Sequence, residues 1–163
     1  MKYQRTIDYP VPCAQVLACF ATSEFLQAKY AGQGATNIQL LEQSQTGATT
    51  LFTFTRDVPV QVDVPAFARS LVPSTITLIQ TDTWDANTRR GSLNIEFKGM
   101  PVKLLCQMRL EDRPNGTHHT LDFDIRVNVP LIGGKLEKLL AEDLQLKFKH
   151  DTEVSMALVI AAR

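Results

Sequence analysis

The sequence predicts an α+β fold: a curved antiparallel sheet of about seven strands wrapped around one long C-terminal helix, with two short helices after the first strand. Three observations predict it. Apolar and polar residues alternate with period two from Thr36 to Val129. A stripe of helical period runs from Leu131 to about Ala162. Two short segments of helical period lie between the alternating stretch Tyr3–Tyr9 and Thr36.

Tyr3–Tyr9 reads as the first strand. Val16, Leu17 and Phe20 then share a helical face behind Pro12, which suits a first helical turn. Ser23 is placed to cap a second helix carrying Phe25, Leu26 and Tyr30, and Gly32 and Gly34 end it. Two helices joined so tightly are expected to pack as a V-shaped pair.

Strands are expected over Thr36–Ser44, Ala48–Val64 with a break near Pro59, Thr75–Asp85, Gly91–Phe97, Val102–Asp112 and Thr117–Val129, forming one meander with the first. Turn chemistry separates them at Gln45-Thr46-Gly47, Asp85-Ala86-Asn87, Gly99-Met100-Pro101 and Arg113-Pro114-Asn115-Gly116. Ala66 to Leu71 has room for a helical turn or two between prolines. The alternation puts Phe52 and Phe54, Leu78 and Trp84, and Leu93 and Ile95 on one face; Asn94, Glu96, Lys103, Arg109 and Asp122 fall on the other. A sheet with one apolar face needs a cover. The final segment supplies it, with Ile132, Leu136, Leu140, Leu144, Phe148, Thr152 and Val159 on one stripe. About thirty helical residues reach roughly 45 Å, enough to cross the whole body.

The chain of 163 residues has the length of a single domain, 1–163, with no repeat or linker to divide it. Seventeen Lys and Arg balance seventeen Asp and Glu, so the basic excess that phosphate neutralisation demands is missing and nucleic acid is not an expected partner. No run approaches the roughly 20 apolar residues of a membrane span, so no stable membrane insertion is expected. Asp8, Pro10 and Pro12 interrupt any secretory h-region. Cys13, Cys19 and Cys106 show no metal-ligand spacing and read as buried thiols, which with the lack of a signal suggests the cytoplasm. Asn115-Gly116-Thr117 fits a glycosylation pattern but is better read as part of a turn.

The order of elements resembles the START-like helix-grip (SRPBCC) superfamily, which includes START lipid-transfer domains, the birch-pollen allergen family and polyketide cyclases. The segments Val64-Pro65-Ala66-Phe67-Ala68-Arg69, Thr81-Asp82-Thr83-Trp84, Gly99-Met100-Pro101 and Val129-Pro130-Leu131-Ile132-Gly133-Gly134-Lys135-Leu136-Glu137 are similar to an uncharacterised bacterial branch of it. The resemblance implies a cavity between sheet and helix that takes apolar molecules such as lipids or polyketides. Phe52, Phe54, Trp84, Phe97, Met108, Phe123 and Phe148 either line such a cavity or fill it; Leu78, Leu140 and Leu144 border the same space.

Candidate chemistry is sparse. Gly133-Gly134-Lys135 lacks the spacing of a phosphate loop, and two glycines near a helix start instead suggest a close backbone approach. His118 and His119 are adjacent on a strand, point to opposite faces, and with His150 and Glu153 read as surface groups. Gln80 and Asp82 lie on the inward face: either the strand end reaches solvent near Trp84, or these groups are hydrogen-bonded at a cavity. No catalytic set, metal site or cofactor motif emerges. The expected function is binding of a small hydrophobic or amphipathic ligand. The alternatives are a cyclase or dehydratase-like enzyme using Asp82, and a ligand-free interaction module. Oligomeric state is left open.

Overall fold

The computed structural model describes residues 1–162. Strand β1 (Lys2–Tyr9) leads into helices α1 (Cys13–Phe20) and α2 (Ser23–Gly32). Strands β2 (Thr36–Thr46), β3 (Thr49–Pro59), β4 (Thr75–Asp85), β5 (Arg90–Phe97), β6 (Val102–Arg113) and β7 (Gly116–Val127) follow. A short 3-10 turn at Ala66–Ala68 sits between β3 and β4, and helix α3 spans Gly133–Ala161.

The seven strands form one antiparallel sheet in the order β1-β7-β6-β5-β4-β3-β2. Strands β2 to β7 are the expected meander. The first strand is not its start: β1 joins the far edge beside β7, with Tyr3 opposite Phe123 and Ile7 opposite His119. The two short helices carry the chain from one edge to the other, which explains why they precede β2. Register shifts in β2 at Thr36/Gln39 and Leu40/Glu42 mark bulges, which bend an edge strand and increase its twist.

Element ends differ from expectation for local reasons. The expected strand to Val64 stops at Pro59, the last residue paired with β4. The next residues leave the sheet because α3 claims them: the Asp143 carboxylate accepts the backbone N–H of Gln61 at 2.6 Å and of Val62 at 2.9 Å. Helix α3 begins at Gly133 rather than Leu131, because Leu131 has a left-handed φ of 69°. The cap of α2 is Thr22, whose hydroxyl accepts the N–H of Phe25 at 3.3 Å, and Ser23 is the first helical residue.

The inward face of the sheet is buried in strict alternation along β4 and most of β6. Phe54, Leu104, Cys106 and Ile125 are 1% exposed or less. Helix α3 packs on them unevenly. Leu136, Leu139, Leu140, Ala141 and Asp143 are buried near its start, and Ser155 and Val159 near its end. From Leu144 to Val154 no residue is fully buried.

The start of α3 is seated by its backbone. A Cβ built on Gly133 would lie 2.6 Å from the carbonyl oxygen of Val127, whereas one on Gly134 meets nothing within 4 Å. The close approach expected of this glycine pair therefore belongs to Gly133 alone. Glu137 fixes the same junction by accepting the N–H of Val127 at 3.1 Å. Farther along, Asp143 pairs with Lys147 at 2.6 Å, and the Lys147 ammonium donates to the carbonyl of Pro59 at 2.6 Å.

Two stability predictions follow from these contacts, both read by denaturant unfolding. Gly133→Ala should destabilise by about 2 kcal/mol, within the range of forced core rearrangements, while Gly134→Ala should be neutral or gain up to about 1 kcal/mol of helix propensity. Asp143→Ala should cost about 3 kcal/mol, as it leaves two backbone amides without their acceptor and Lys147 without its carboxylate. Asp143→Asn should recover part of that loss, since its amide oxygen still accepts both N–H groups.

Candidate ligand-binding site

Where α3 stands away from the sheet, the structure holds a cavity of about 130 Å³, open to solvent on one side. Its sheet wall is apolar: Ile7 from β1, Leu93 and Ile95 from β5, and Leu121 and Phe123 from β7. Leu144 and Phe148 of α3 face them. These helix residues, with Leu93 and Phe123, pack against the core on one side and keep part of their surface where they border the cavity. Tyr3 stacks on Phe123 with ring centroids 4.8 Å apart and planes 15° apart, and Arg5 lies 5.5 Å over Tyr3.

The opposite end is polar. Period two carries the inward face of β3 from Phe52 and Phe54 to Arg56, which is 8% exposed. Its guanidinium stacks 4.0 Å over the Tyr30 ring, an arrangement favourable for a partly desolvated cation. Gln80 from β4, Lys29 from α2, and Asp151 and Thr152 from α3 complete this end.

Asp82 lies behind it. Gln80 donates to one carboxylate oxygen at 2.6 Å and the Tyr30 hydroxyl donates to the other at 3.5 Å. Burial pushes the Asp82 carboxyl above its ordinary range, and the Gln80 hydrogen bond and the Lys29 and Arg56 charges offset this only in part. Burial likewise raises Asp151 and lowers the Lys29 ammonium. With Trp84 6% and Asp82 6% exposed, the strand end does not reach solvent. Of the two sequence readings of Gln80 and Asp82, the hydrogen-bonded one describes this structure.

Of the residues the sequence singled out, Phe123, Leu144 and Phe148 line the cavity. Phe52, Phe54, Leu78, Trp84 and Met108 are buried among the core residues and do not border it. Phe97 borders a surface groove at the β5–β6 turn, and Leu140 a crevice beside Met100 and Val129. Asp82 reaches the cavity only through Gln80 and Tyr30. Large inward side chains therefore fill much of the grip, and the open part lies toward β1 and α2. Sequence reasoning missed Arg56 and Lys29. Alternation from Phe54 would have found Arg56; for Lys29 there was no signal, since its position depends on how α2 docks.

The reading of His119 as a surface group is corrected: it is 4% exposed. Tyr9 lies opposite across an aromatic box whose Phe20 and Trp84 rings are each 5.7 Å from the imidazole. The inward alternation through Leu121 and Phe123 extends back to it. His118 points outward and meets Asp8 at 2.6 Å. His150 is exposed, its Nε2 3.1 Å from the carbonyl of Gly32. Cys13, Cys19 and Cys106 are buried free thiols. Among the described residues, no three His, Cys, Asp or Glu side chains gather as a metal site would need, and no helix is long and apolar enough to cross a membrane.

Neither ring nitrogen of His119 has a hydrogen-bond partner in the structure. Burial, with Lys29 and His118 adding to it, lowers the His119 pKa to about 3. The unfolded chain binds this proton near pH 6.5, so the folded state is penalised as pH falls from 6.5 towards 3 and unpenalised above. Replacing His119 by Leu should therefore flatten the acid limb. Its stability advantage over the parent should grow by about 2.3 kcal/mol between pH 6.5 and 4.5. Parallel unfolding curves across that window would show that the imidazole is not buried in its neutral form.

The structure resembles several known ones at low sequence identity. A START superfamily protein from Mycobacterium smegmatis superposes with a TM-score of 0.64 at 14% identity, covering 99% of both chains. The Zhui aromatase/cyclase from Streptomyces sp. R1128 gives 0.65 at 12% identity, covering 98% of this chain and 93% of that one. Ara h 8.0201, an allergen of the birch-pollen type, gives 0.59 at 14% identity over 99% and 98%. The fold is thus the START-like helix grip. No curated protein sequence matches the chain. The profile of the family described as "Protein of unknown function (DUF2505)" matches residues 4–158, and the chain belongs to that family.

Proposed function

We propose that residues 1–163 form one ligand-binding unit that holds a small hydrophobic or amphipathic molecule between the sheet and α3. The observation carrying this is the cavity at the unburied middle of α3, with an apolar wall and a few polar groups gathered at one end. That combination is the usual make-up of a small-molecule site. The names of the fold neighbours, a START protein and an aromatase/cyclase, lend support of a general kind.

Volume limits the ligand. The cavity of about 130 Å³ falls below the roughly 300 Å³ of a drug-sized pocket, and is close to the roughly 150 Å³ that takes up one benzene. A single ring or a short chain fits; a sterol or two-chain lipid does not fit this conformation. Binding without turnover is the better reading, because Asp82, the best acid–base candidate, lies behind Gln80 and Tyr30.

Toluene and 1-hexanol, titrated while melting is followed, test this. At a concentration 100-fold above Kd the gain is about 2.7 kcal/mol, or a Tm rise of roughly 5–10 °C for a chain of this size. Leu93→Phe should remove the response by filling the space. Absence of a shift with either probe, or an equal shift in the filled variant, would count against the proposal.

A further inference from the structure

The cavity's polar end carries more cationic and unpartnered character than an apolar molecule needs. Lys29 and Arg56 are on its wall, against Asp151 as the one carboxylate there, while Arg5 lines the cavity beside Tyr3. Three buried polar atoms at this end have no hydrogen-bond partner: Nη1 of Arg56, Oε1 of Gln80 and Oγ1 of Thr152. Leaving such buried groups unpaired is costly, more so when charged, and all three belong to residues that line one cavity, which marks where a partner belongs.

We propose that this end binds the anionic group of the ligand, specifically the carboxylate of a small aromatic or short-chain acid. The ring or chain lies against Leu93, Phe123, Leu144 and Phe148. The Arg56 guanidinium donates to one carboxylate oxygen and the Thr152 hydroxyl to the carboxylate as well, while Lys29, whose charged form burial disfavours, regains it by pairing with the anion. Asp82 does not compete for the space. Its oxygens already accept from Gln80 and Tyr30, and burial favours its protonated form. Asp151 is biased the same way by burial. The inference deepens the proposed function and rests on it.

Titration calorimetry with benzoate, benzamide and toluene separates the two. Benzoate and benzamide have nearly the same shape and differ in charge; toluene reports the apolar wall alone. Benzoate should bind at least tenfold more tightly than benzamide, with the ratio falling as salt is raised. Arg56→Met should abolish that preference while keeping toluene binding, and Thr152→Val should weaken benzoate a few-fold. Because Arg56 is buried, circular dichroism must show that its variant folds. Should it not fold, half-buried Lys29→Gln and Thr152→Val carry the comparison, each expected to weaken benzoate by a larger factor than toluene. Toluene binding with benzoate no tighter than benzamide would overturn the anion site and leave the cavity reading standing. A benzoate preference that survives these substitutions would also overturn it, by placing the anion elsewhere. Failure of all three probes to bind would overturn both.

Discussion

Helix α3 is buried near its two ends and only half-buried between them, where Lys147 and His150 tie it to Pro59 and Gly32, and the rest of the structure follows from that. At the start, Gly133 lets the helix backbone touch Val127, and Glu137 and Asp143 catch backbone N–H groups of β7 and of the segment after β3. At the end, Val159 is fully buried, and the Gln15 amide from α1 donates to its carbonyl at 3.4 Å. A rigid rod held at both ends over a concave sheet must stand off at the centre unless side chains there are long enough to reach across. Leu144 and Phe148 pack against the core only in part, and Thr152 is half-buried. The space beneath them is a consequence of geometry, and interiors normally close such gaps, so its persistence needs polar or functional support.

That support is the cluster of Arg56, Gln80, Asp82, Tyr30 and Lys29. Each is costly to bury singly, and together they offset one another: Gln80 and Tyr30 donate to Asp82, and Arg56 stacks on Tyr30. The cluster also resists collapse. Filling the gap by moving α3 inward would press the apolar stripe of the helix onto an ionised guanidinium without giving it a hydrogen bond. The same groups that set the chemistry of the cavity thus help keep it open.

Alternation and helical period made the fold legible, because burying one sheet face and one helix stripe leaves a two-fold and a 3.6-fold pattern in the residues. The same arithmetic put Gln80 and Asp82 on the inner face. It reaches Arg56 and His119 too, the first passed over and the second read as a surface group because of its polarity. Other features carried no signal. The pairing of β1 with β7 depends on the path of α1 and α2, and the standing-off of α3 on distances that no stripe records. Whether Phe54 fills a cavity or borders one was undecidable from its identity, since an inward phenylalanine satisfies either arrangement.

The fold neighbours share the grip at 12–14% identity, low enough that the scaffold is common while its interior is rewritten. On such scaffolds function belongs to the site, and here the large inward aromatics Phe52, Phe54 and Trp84 have taken over ground a wider pocket would use. What is left is a short apolar wall facing a cationic end. An apolar wall alone would discriminate poorly between molecules of one size, because a methylene is worth only about 1–3 kcal/mol. A buried guanidinium discriminates sharply, since a neutral ligand leaves it unpaired. For the ligand we propose, selectivity would therefore rest on charge at Arg56 more than on shape along Leu93 and Phe123.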